Sequence, residues 1–324
     1  MRSENRLRRL SAGLVMLALL LVGLFALTLP AIHRWGATDA EVARSLPGDE
    51  LLTHPLVHWT HATTINAPPA AVWPWIAQLG DTRGGYYSYT FIENQVGALT
   101  GAADYNVVYV NADRIHPEWQ NPQPGDSLIQ SVLQVHAVEP GAYLLANSLD
   151  PSVMNWVWLW HIEPVAQGQQ TRLVVRMAIE TGAEMANPVA GFVMDIGGFV
   201  MEQNMLQGIK LRAEGGAEPN WTEPVEIALW FAALLAGVVA ALFFVLRPAW
   251  LVPLLVAVAA LIALFILTFV QPALWFRLAI DLALWVGVVK AWRVSRQEHL
   301  REQWTVDSGQ RPVSSGQWTV GSGQ

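Results

Sequence analysis

The residues that could carry chemistry are few, and one group of them lies close together in residues 112–120 (ADRIHPEWQ). This stretch combines acidic, basic and imidazole side chains that could take part in general acid–base catalysis: Asp113, Arg114, His116 and Glu118. No neighbour in the stretch would bring one of their pKa values close to neutrality, so a solvated loop is the favoured interpretation. Further along, His161 and Glu163 share one face of a predicted strand, but two ligands are too few for a zinc site.

A second pair of candidates lies on a predicted helix. Asp195 and Glu202 are seven positions apart, which places them on one side of the helix, where they could polarise a buried substrate as in cyclases. A solvated helix face is the favoured interpretation. The chain has no cysteine, which excludes disulfides, thiolate metal sites and cysteine nucleophiles. It also lacks a serine nucleophile elbow and a phosphate-binding glycine loop, so no catalytic residue, metal site or cofactor is predicted.

Aromatic side chains supply the clearest candidate for a binding site. Gly84-Gly85 marks a point where the backbone needs unusual freedom. Three tyrosines, each with an apolar ring and a polar tip, follow it: Tyr86, Tyr87 and Tyr89. Three tryptophans alternate along a predicted strand and so form one apolar wall: Trp156, Trp158 and Trp160. A loop packed on a core and the rim of an apolar pocket explain the tyrosines equally well.

The elements that position these residues can be predicted from residue periodicity. A strand over 57–66 is followed by a helix that begins at Pro68-Pro69 and by a second short helix over 88–96. Near-alternating segments between 127 and 181 predict a run of further strands. The long helix predicted over 187–215 is too polar to span a membrane, and its glycines suit close approach to the backbone. Its spacing favours a core helix over a lid on a cavity.

The strongest apolar runs predict transmembrane helices. The chain has 324 residues, of which 53% are apolar and 14% charged, too apolar for an ordinary soluble domain. The uncharged runs 10–29, 227–246 and 249–270 can each cross about 30 Å of hydrocarbon as a helix. A fourth, shorter run over 273–289 carries Arg277 and Asp281, whose spacing of four favours a self-neutralising contact. Four transmembrane helices are therefore predicted.

Basic residues near these runs predict the orientation of the chain. They are more numerous before the first run and after the fourth than beside residues 31–225. We therefore expect a multi-pass protein of the plasma (inner) membrane with cytoplasmic termini and an extracytoplasmic segment 31–225. That segment holds eight Lys and Arg against twenty Asp and Glu, which makes nucleic acid and anionic lipid surfaces poor partners.

The predicted spans and their orientation divide the chain into four regions. Residues 1–30 form a cytoplasmic tip and the first transmembrane helix, and residues 31–225 form the extracytoplasmic domain. Residues 226–292 hold transmembrane helices two to four. Residues 293–324 are predicted to be a disordered cytoplasmic tail, because they are rich in Gly and Ser and repeat themselves as QWTVDSGQ and QWTVGSGQ.

The segment from Trp35 to Glu214 resembles a known superfamily in the order of its predicted elements and in several short stretches. These are WGATDAEVARSLPGDELL, TINAPPAAVWPWIAQLG, GGYYSY…IEN, ADRIHPEWQ…GD and MLQGIKLRAE. They are similar to a membrane-associated bacterial branch of the START and birch-pollen-allergen-like superfamily, also called SRPBCC or polyketide cyclase/dehydrase. The resemblance implies an α+β helix-grip fold, in which a curved antiparallel sheet surrounds a long C-terminal helix and an internal apolar cavity.

The function that this resemblance implies is to hold a hydrophobic small molecule or lipid in the cavity, without catalysis. Strand alternation and placement in the family together predict the lining residues: Tyr86, Tyr87, Tyr89, Trp119, Trp156, Trp158, Trp160, Met194 and Met201. Fold does not determine function, so two alternatives stay open. One is a cyclase- or dehydratase-type enzyme that uses the same cavity. The other is an interaction module whose cavity is merely a core.

Overall fold

The computed structural model describes residues 2–100, 109–181, 188–247 and 249–309. The chain forms two compact units. One is Leu19–Pro224, and the other combines Met1–Ala18 with Val225–Gln324. Helix α1 (Arg2–Ile32) begins in the latter and ends in the former.

The Leu19–Pro224 unit is built on one antiparallel sheet of six strands. Their bounds are Val57–Ile65 (β1), Ser127–Ile129 (β2), Leu133–Glu139 (β3), Tyr143–Ser148 (β4), Met154–Val165 (β5) and Gln170–Thr181 (β6). The order in the sheet is β1-β6-β5-β4-β3-β2, so β2 to β6 pair consecutively and β1 closes onto β6. The predicted antiparallel run of strands is confirmed, and the unit is an α+β structure.

Both faces of the sheet are covered, which explains why its long strands are apolar on both sides. On one face lies the long helix α5 (Pro188–Ala213), with α3 (Pro69–Ala77) packed against it. The other face is covered by residues 37–52, which include the short helix α2 (Asp39–Ala43) and pack Leu46 onto the sheet. Arg176 of β6 is buried beneath this segment and donates to Asp49 and to the backbone oxygen of Arg44.

Two glycines of α5 lie where other parts of the chain touch the helix. A methyl group at Gly198 would lie 2.4 Å from the Trp59 ring, and one at Gly208 would lie 2.3 Å from the Tyr87 backbone oxygen. Gly197, by contrast, faces open space. The close approach that the glycines of this helix suggested is therefore found at Gly198 and Gly208. The second short helix of the unit, α4 (Thr90–Thr100), follows the tyrosines.

The residues that follow α1 lie against the β1 edge of the sheet. Thr60 N donates to His33 O at 2.9 Å, and Ala62 N donates to Trp35 O at 3.0 Å, so a turn satisfies two N–H groups of this edge strand. At Gly36 the chain turns away with a φ of +68°, and a methyl group there would lie 2.1 Å from the Ala62 oxygen. Helix α1 therefore leads to the edge of the sheet without an intervening linker.

The second unit contains α6 (Thr222–Leu246), α7 (Leu251–Phe269) and α8 (Leu274–Gly309). Small residues lie at the buried helix contacts, where they let helices approach closely: Ala233, Ala236, Ala240, Ala260 and Ala263. Helix α8 continues beyond residue 292 to Gly309, and residues 310–324 of the predicted tail lie outside the described residues.

Three helical segments of the described chain are long and apolar enough to cross a membrane. They are Ser11–Ile32, Thr222–Leu246 and Leu251–Phe269, and they match three of the four predicted runs. Membrane association of this chain is therefore possible. The predicted count of four is not reproduced. Arg277, Asp281 and Lys290 fall within four turns of α8, and so many charges are expensive in hydrocarbon.

Arg277 and Asp281 do not form the contact that their spacing suggested. Arg277 Nη2 lies 3.1 Å from Glu226 Oε2, and Arg277 Nε donates to Pro272 O at 2.8 Å. Both Asp281 oxygens are buried without a hydrogen-bond partner in the described part of the chain. An ion pair between α6 and α8 replaces the local pair, since contacts four residues apart on one helix are worth only a few tenths of a kcal/mol.

The two charges are expected to respond differently to replacement. Arg277→Leu removes the cation that faces the half-buried Glu226 carboxylate and should lower the free energy of unfolding by about 1–2 kcal/mol. Asp281→Leu removes a buried carboxylate without a partner and should leave stability unchanged or raised. Thermal unfolding of the full chain in detergent, followed by circular dichroism, compares them. Equal losses in the two variants would contradict this assignment.

Candidate functional site

The three tryptophans of β5 form the wall that their alternation predicted. The Trp156 and Trp158 rings are stacked with centroids 5.7 Å apart, and those of Trp158 and Trp160 are 4.3 Å apart. The wall faces α5, because the Trp158 indole reaches Glu202 on that helix. Tyr86 extends the wall by stacking on Trp158 at 6.0 Å. Four of the nine predicted lining residues thus form one continuous aromatic surface.

Tyr86 and Tyr87 are anchored by their hydroxyl groups. Tyr86 donates to the backbone oxygen of Leu128 at 2.5 Å, and burial raises the pKa of this hydroxyl well above its ordinary value. Tyr87 has a φ of 57°, sets its ring edge-on to Trp75, and donates to the Trp75 backbone oxygen at 3.0 Å. Burial also raises the pKa of Tyr87. Both hydroxyls therefore stay protonated and serve as fixed donors.

The remaining predicted lining residues lie in different surroundings. Tyr89 is buried, and Met194 and Met201 are half-buried on α5, with Met194 packed against the main core. Trp119 lies apart from the wall, because its ring stacks on His116 at 4.2 Å beside an open cleft. The ligand-binding role of all nine residues stays a prediction.

A buried carboxylate on α5 is the centre of a polar network beside the wall. Glu202 is 1% exposed and accepts from three side chains on the facing sheet. Trp59 Nε1 lies 3.0 Å from its Oε1, Trp158 Nε1 lies 3.1 Å from its Oε2, and His61 Nδ1 lies 2.7 Å from Oε1. These contacts join α5 to β1 and β5 through one group.

The partners of His61 define how many protons the network carries. Its Nδ1 faces the Glu202 carboxyl, and its Nε2 lies 2.5 Å from the backbone oxygen of Ile32, the last residue of α1. A carbonyl oxygen only accepts, so Nε2 carries a proton. One further proton lies between Nδ1 and Glu202, and the pair is neutral as a whole. Two indole donors on the carboxylate favour the ion-pair form.

The expectation that Asp195 and Glu202 line a solvated helix face is wrong for Glu202. The buried stripe of α5 includes Phe199, Leu206 and Ile209, and Glu202 falls on it at helical spacing. Asp195, two turns earlier, is half-buried and lies 3.2 Å from His33 Nε2 through its Oδ1. The Asp195 carboxylate raises the pKa of His33, against a smaller opposing effect of burial.

A signal for this network was present in the sequence. Val57, Trp59 and His61 alternate on one face of β1, so His61 shares its face with two apolar residues. Glu202 likewise interrupts an apolar stripe rather than a polar one. A charged residue on each of two buried faces predicts that the two residues meet, because buried charges must be paired.

The wall also presents two hydrogen-bond donors without acceptors. The Nε1 atoms of Trp156 and Trp160 are buried and have no partner among the residues that the structure describes. Trp160 itself is fully buried, whereas Trp156 is half-buried. The middle tryptophan of the row, Trp158, is the one satisfied by Glu202. An unsatisfied buried donor costs about 1–3 kcal/mol.

An open cleft of about 680 Å³ lies beside the loop that carries the first acid–base candidates. Asp113 and His116 line it together with Arg83, Arg212 and Glu218. Both arginines form hydrogen bonds within the protein: Arg83 donates to the backbone oxygen of Trp119, and Arg212 donates to the backbone oxygen of Ala112. The cleft is therefore a mixed-charge surface held together by backbone contacts.

The remaining acid–base candidates lie beside charged partners within the protein. His116 Nδ1 lies 3.2 Å from the exposed Glu118 carboxylate, as expected for a solvated loop. Glu163 pairs with Arg44 on the face of the sheet opposite the tryptophans, beside His161. Burial and the neighbouring Glu223 carboxylate raise the pKa of Glu93 to about 8. Among the described residues, no group of three His, Asp or Glu side chains could hold a metal ion.

Comparison with known proteins adds little to this architecture. No protein-family model matches the chain, and no curated protein matches it in sequence. Protein MLL2253 from Mesorhizobium loti is similar over 47% of this chain and 93% of its own, at 15% identity and a TM-score of 0.24. The KanY protein is similar over 50% of this chain and 100% of its own, at 17% identity and a TM-score of 0.28. A protein from Thermobifida fusca is similar over 50% of this chain and 97% of its own, at 13% identity and a TM-score of 0.28. The class that the fold itself defines is an α+β protein with a six-stranded antiparallel sheet and apolar helices.

Proposed function

We propose that this chain is a membrane-anchored protein that binds a hydrophobic small molecule or lipid between the tryptophan wall and α5, in a fold of the helix-grip type. The strand order supports the fold assignment, because the first strand lies beside the last and one long helix crosses the sheet, as the SRPBCC resemblance implies. The three candidate spans support the membrane anchor. We propose the extracytoplasmic side for the sheet unit from the distribution of basic residues in the sequence.

The observation that carries the proposal is the pair of unpartnered indole N–H groups on Trp156 and Trp160, which have no acceptor within the described residues. A wall that only filled a core would be more stable with phenylalanine at these positions, since each unsatisfied donor is destabilising. A bound molecule that brings its own acceptors removes this penalty. The ligand class is therefore an apolar molecule that carries a carbonyl, ester or similar oxygen, rather than a plain hydrocarbon.

A cyclase- or dehydratase-type enzyme is the second candidate, and the buried Glu202–His61 pair favours it. A carboxylate 2.7 Å from an imidazole, beside an apolar wall, is an arrangement that acid–base catalysis can use. However, both imidazole nitrogens are engaged, and each Glu202 oxygen already accepts an indole N–H. A pair so fully occupied is better suited to holding the sheet and the helix together, so binding is the function we propose.

Two photoreactive probes test the proposal on the full-length protein in nanodiscs. One is methyl palmitate with a diazirine on its chain, whose ester accepts hydrogen bonds, and the other is the matching hexadecane, which does not. The ester is expected to label peptides from β5 and α5 more strongly. Trp160→Phe removes one donor and should lower ester labelling roughly fivefold, which corresponds to about 1 kcal/mol, while alkane labelling stays unchanged.

Val157→Ala serves as the matched control, because Val157 lies on the opposite face of the same strand and should alter neither signal. Absence of labelling in β5 and α5 by both probes would show that the interior is a filled core and would refute the binding function. An equal loss of both signals in Trp160→Phe would refute only the recognition of an acceptor.

A further inference from the structure

Apolar side chains are exposed together at one end of the sheet. At this end β6 finishes at Thr181, and β5 starts at its partner Met154. The turn that leads from β4 into β5 lies here as well. Within this turn Leu149 is 50% exposed and Val153 is 57% exposed. Exposed apolar residues that cluster in one place, rather than singly, indicate a surface that is covered in the working protein.

The beginning of α5 lies at the same end of the sheet. Gly191 packs against Leu56, the residue before β1, since a methyl group at Gly191 would lie 3.5 Å from the Leu56 side chain. The next residue, Phe192, is 37% exposed. Its ring meets the ring of Phe25 on α1 edge-on, with centroids 5.0 Å apart. The exposed end of the sheet and the first helix are therefore in direct contact.

The position of Phe25 along α1 sets the depth of this contact. Phe25 belongs to Ser11–Ile32, a segment able to cross a membrane, and precedes its end by seven residues. At 1.5 Å per residue this is about 10 Å of helix. If Ser11–Ile32 crosses a bilayer, Phe192 thus lies below the level at which α1 leaves the hydrocarbon. The polar contact between His33 and Asp195 lies just beyond that level.

We propose that this end of the sheet, formed by Leu149, Val153 and Phe192 with the first turns of α5, is inserted into the interface of the bilayer that α1 crosses. In this arrangement the sheet unit contacts the membrane directly through this apolar surface, in addition to its connection through α1. The proposal does not depend on the proposed binding function. Together, the two place the half-buried Trp156 and Met154 next to lipid, at the end of the wall where a ligand would enter.

A lipid surface suits this end of the sheet better than a protein partner does, because α1 fixes the patch at the level of the bilayer. The exposed carboxylates nearby, Asp150 in the turn and Glu180 on β6, argue against attraction to anionic lipids. Apolar burial of about 5–10 Å into the boundary between headgroups and chains is therefore the expected mode, and it should be insensitive to salt.

The cysteine-free chain makes the test direct. Single cysteines at positions 149, 153 and 192 are labelled with the environment-sensitive dye NBD in full-length protein in phosphatidylcholine nanodiscs. Phosphatidylcholine with a spin label high on its acyl chain is the quencher. We expect blue-shifted emission and loss of most of the fluorescence at all three positions, with no change on adding salt.

Two control positions are exposed at the opposite end of the sheet. Gln169 lies in the turn between β5 and β6, and Glu139 lies at the end of β3; labels at both should escape the quencher. Quenching at none of the five positions, or at all five alike, would refute the proposal. A blue shift without quenching would refute it in favour of a protein partner. A photoreactive lipid provides a second measurement on the unmodified chain, where it should label the peptide that holds the β4–β5 turn.

Discussion

Glu202→Ala is expected to lower the free energy of unfolding of the sheet unit by about 3–5 kcal/mol. The change removes the acceptor that the structure shows for the indole N–H groups of Trp59 and Trp158, and it leaves the His61 imidazole buried without its counter-ion. A melting temperature lower by roughly 10 °C should accompany the loss in a unit of this size.

The measurement is chemical unfolding of the full chain in detergent, followed by tryptophan fluorescence. Glu139→Ala, at an exposed position of β3, is the matched control and should change stability by less than about 0.5 kcal/mol. The double variant Glu202→Leu with His61→Leu should regain part of the loss, because it removes both charges of a buried pair. A loss under about 1 kcal/mol for Glu202→Ala would mean that water reaches this carboxylate.

The second large effect is expected at Gly208, where alanine should destabilise the unit by about 1–3 kcal/mol through overpacking. The new methyl group would lie 2.3 Å from the backbone oxygen of Tyr87, and a backbone atom cannot move aside as a flexible side chain does. This loss outweighs the gain of about 1 kcal/mol that alanine brings to a helix interior.

Gly197, on the same helix, supplies the comparison. A methyl group there meets nothing within 4 Å, so Gly197→Ala should stabilise the unit by about 0.5–1 kcal/mol. Thermal melts of both variants in the same detergent should show a lower melting temperature for Gly208→Ala and a higher one for Gly197→Ala than for the unmodified protein. If both substitutions stabilised the protein, α5 would not be packed against Tyr87 as described.

The parts of the fold that were predictable from sequence depend on local periodicity. Alternation in β5 placed Trp156, Trp158 and Trp160 on one face, and uninterrupted apolar runs identified three membrane-spanning candidates. The prediction of a fourth span was not reproduced, because it treated Arg277 and Asp281 as a self-neutralising pair. Arg277 instead faces Glu226, a partner on another helix that no spacing rule within α8 reveals.

The centre of the candidate site could not be predicted in full for the same reason. The contact between Glu202 and His61 joins residues 141 positions apart, so its existence depends on how α5 crosses β1. Trp119 was predicted to line the cavity because it lies in a family-like stretch. Its ring stacks on His116, three residues before it, and its ligand-binding role stays a prediction. For the Glu202–His61 contact, long-range packing rather than residue type is decisive.

The join between α1 and β1 has a practical consequence for anyone who wishes to express the sheet unit alone. A fragment that begins at residue 36 would leave the Thr60 and Ala62 N–H groups open along an edge strand and would strip the Ile32 oxygen from His61. Open edges pair with edges of other molecules, so such a fragment would tend to dimerise or aggregate. The excision boundary therefore belongs inside helix α1, with the exposed apolar side chains of the retained turns exchanged for polar ones.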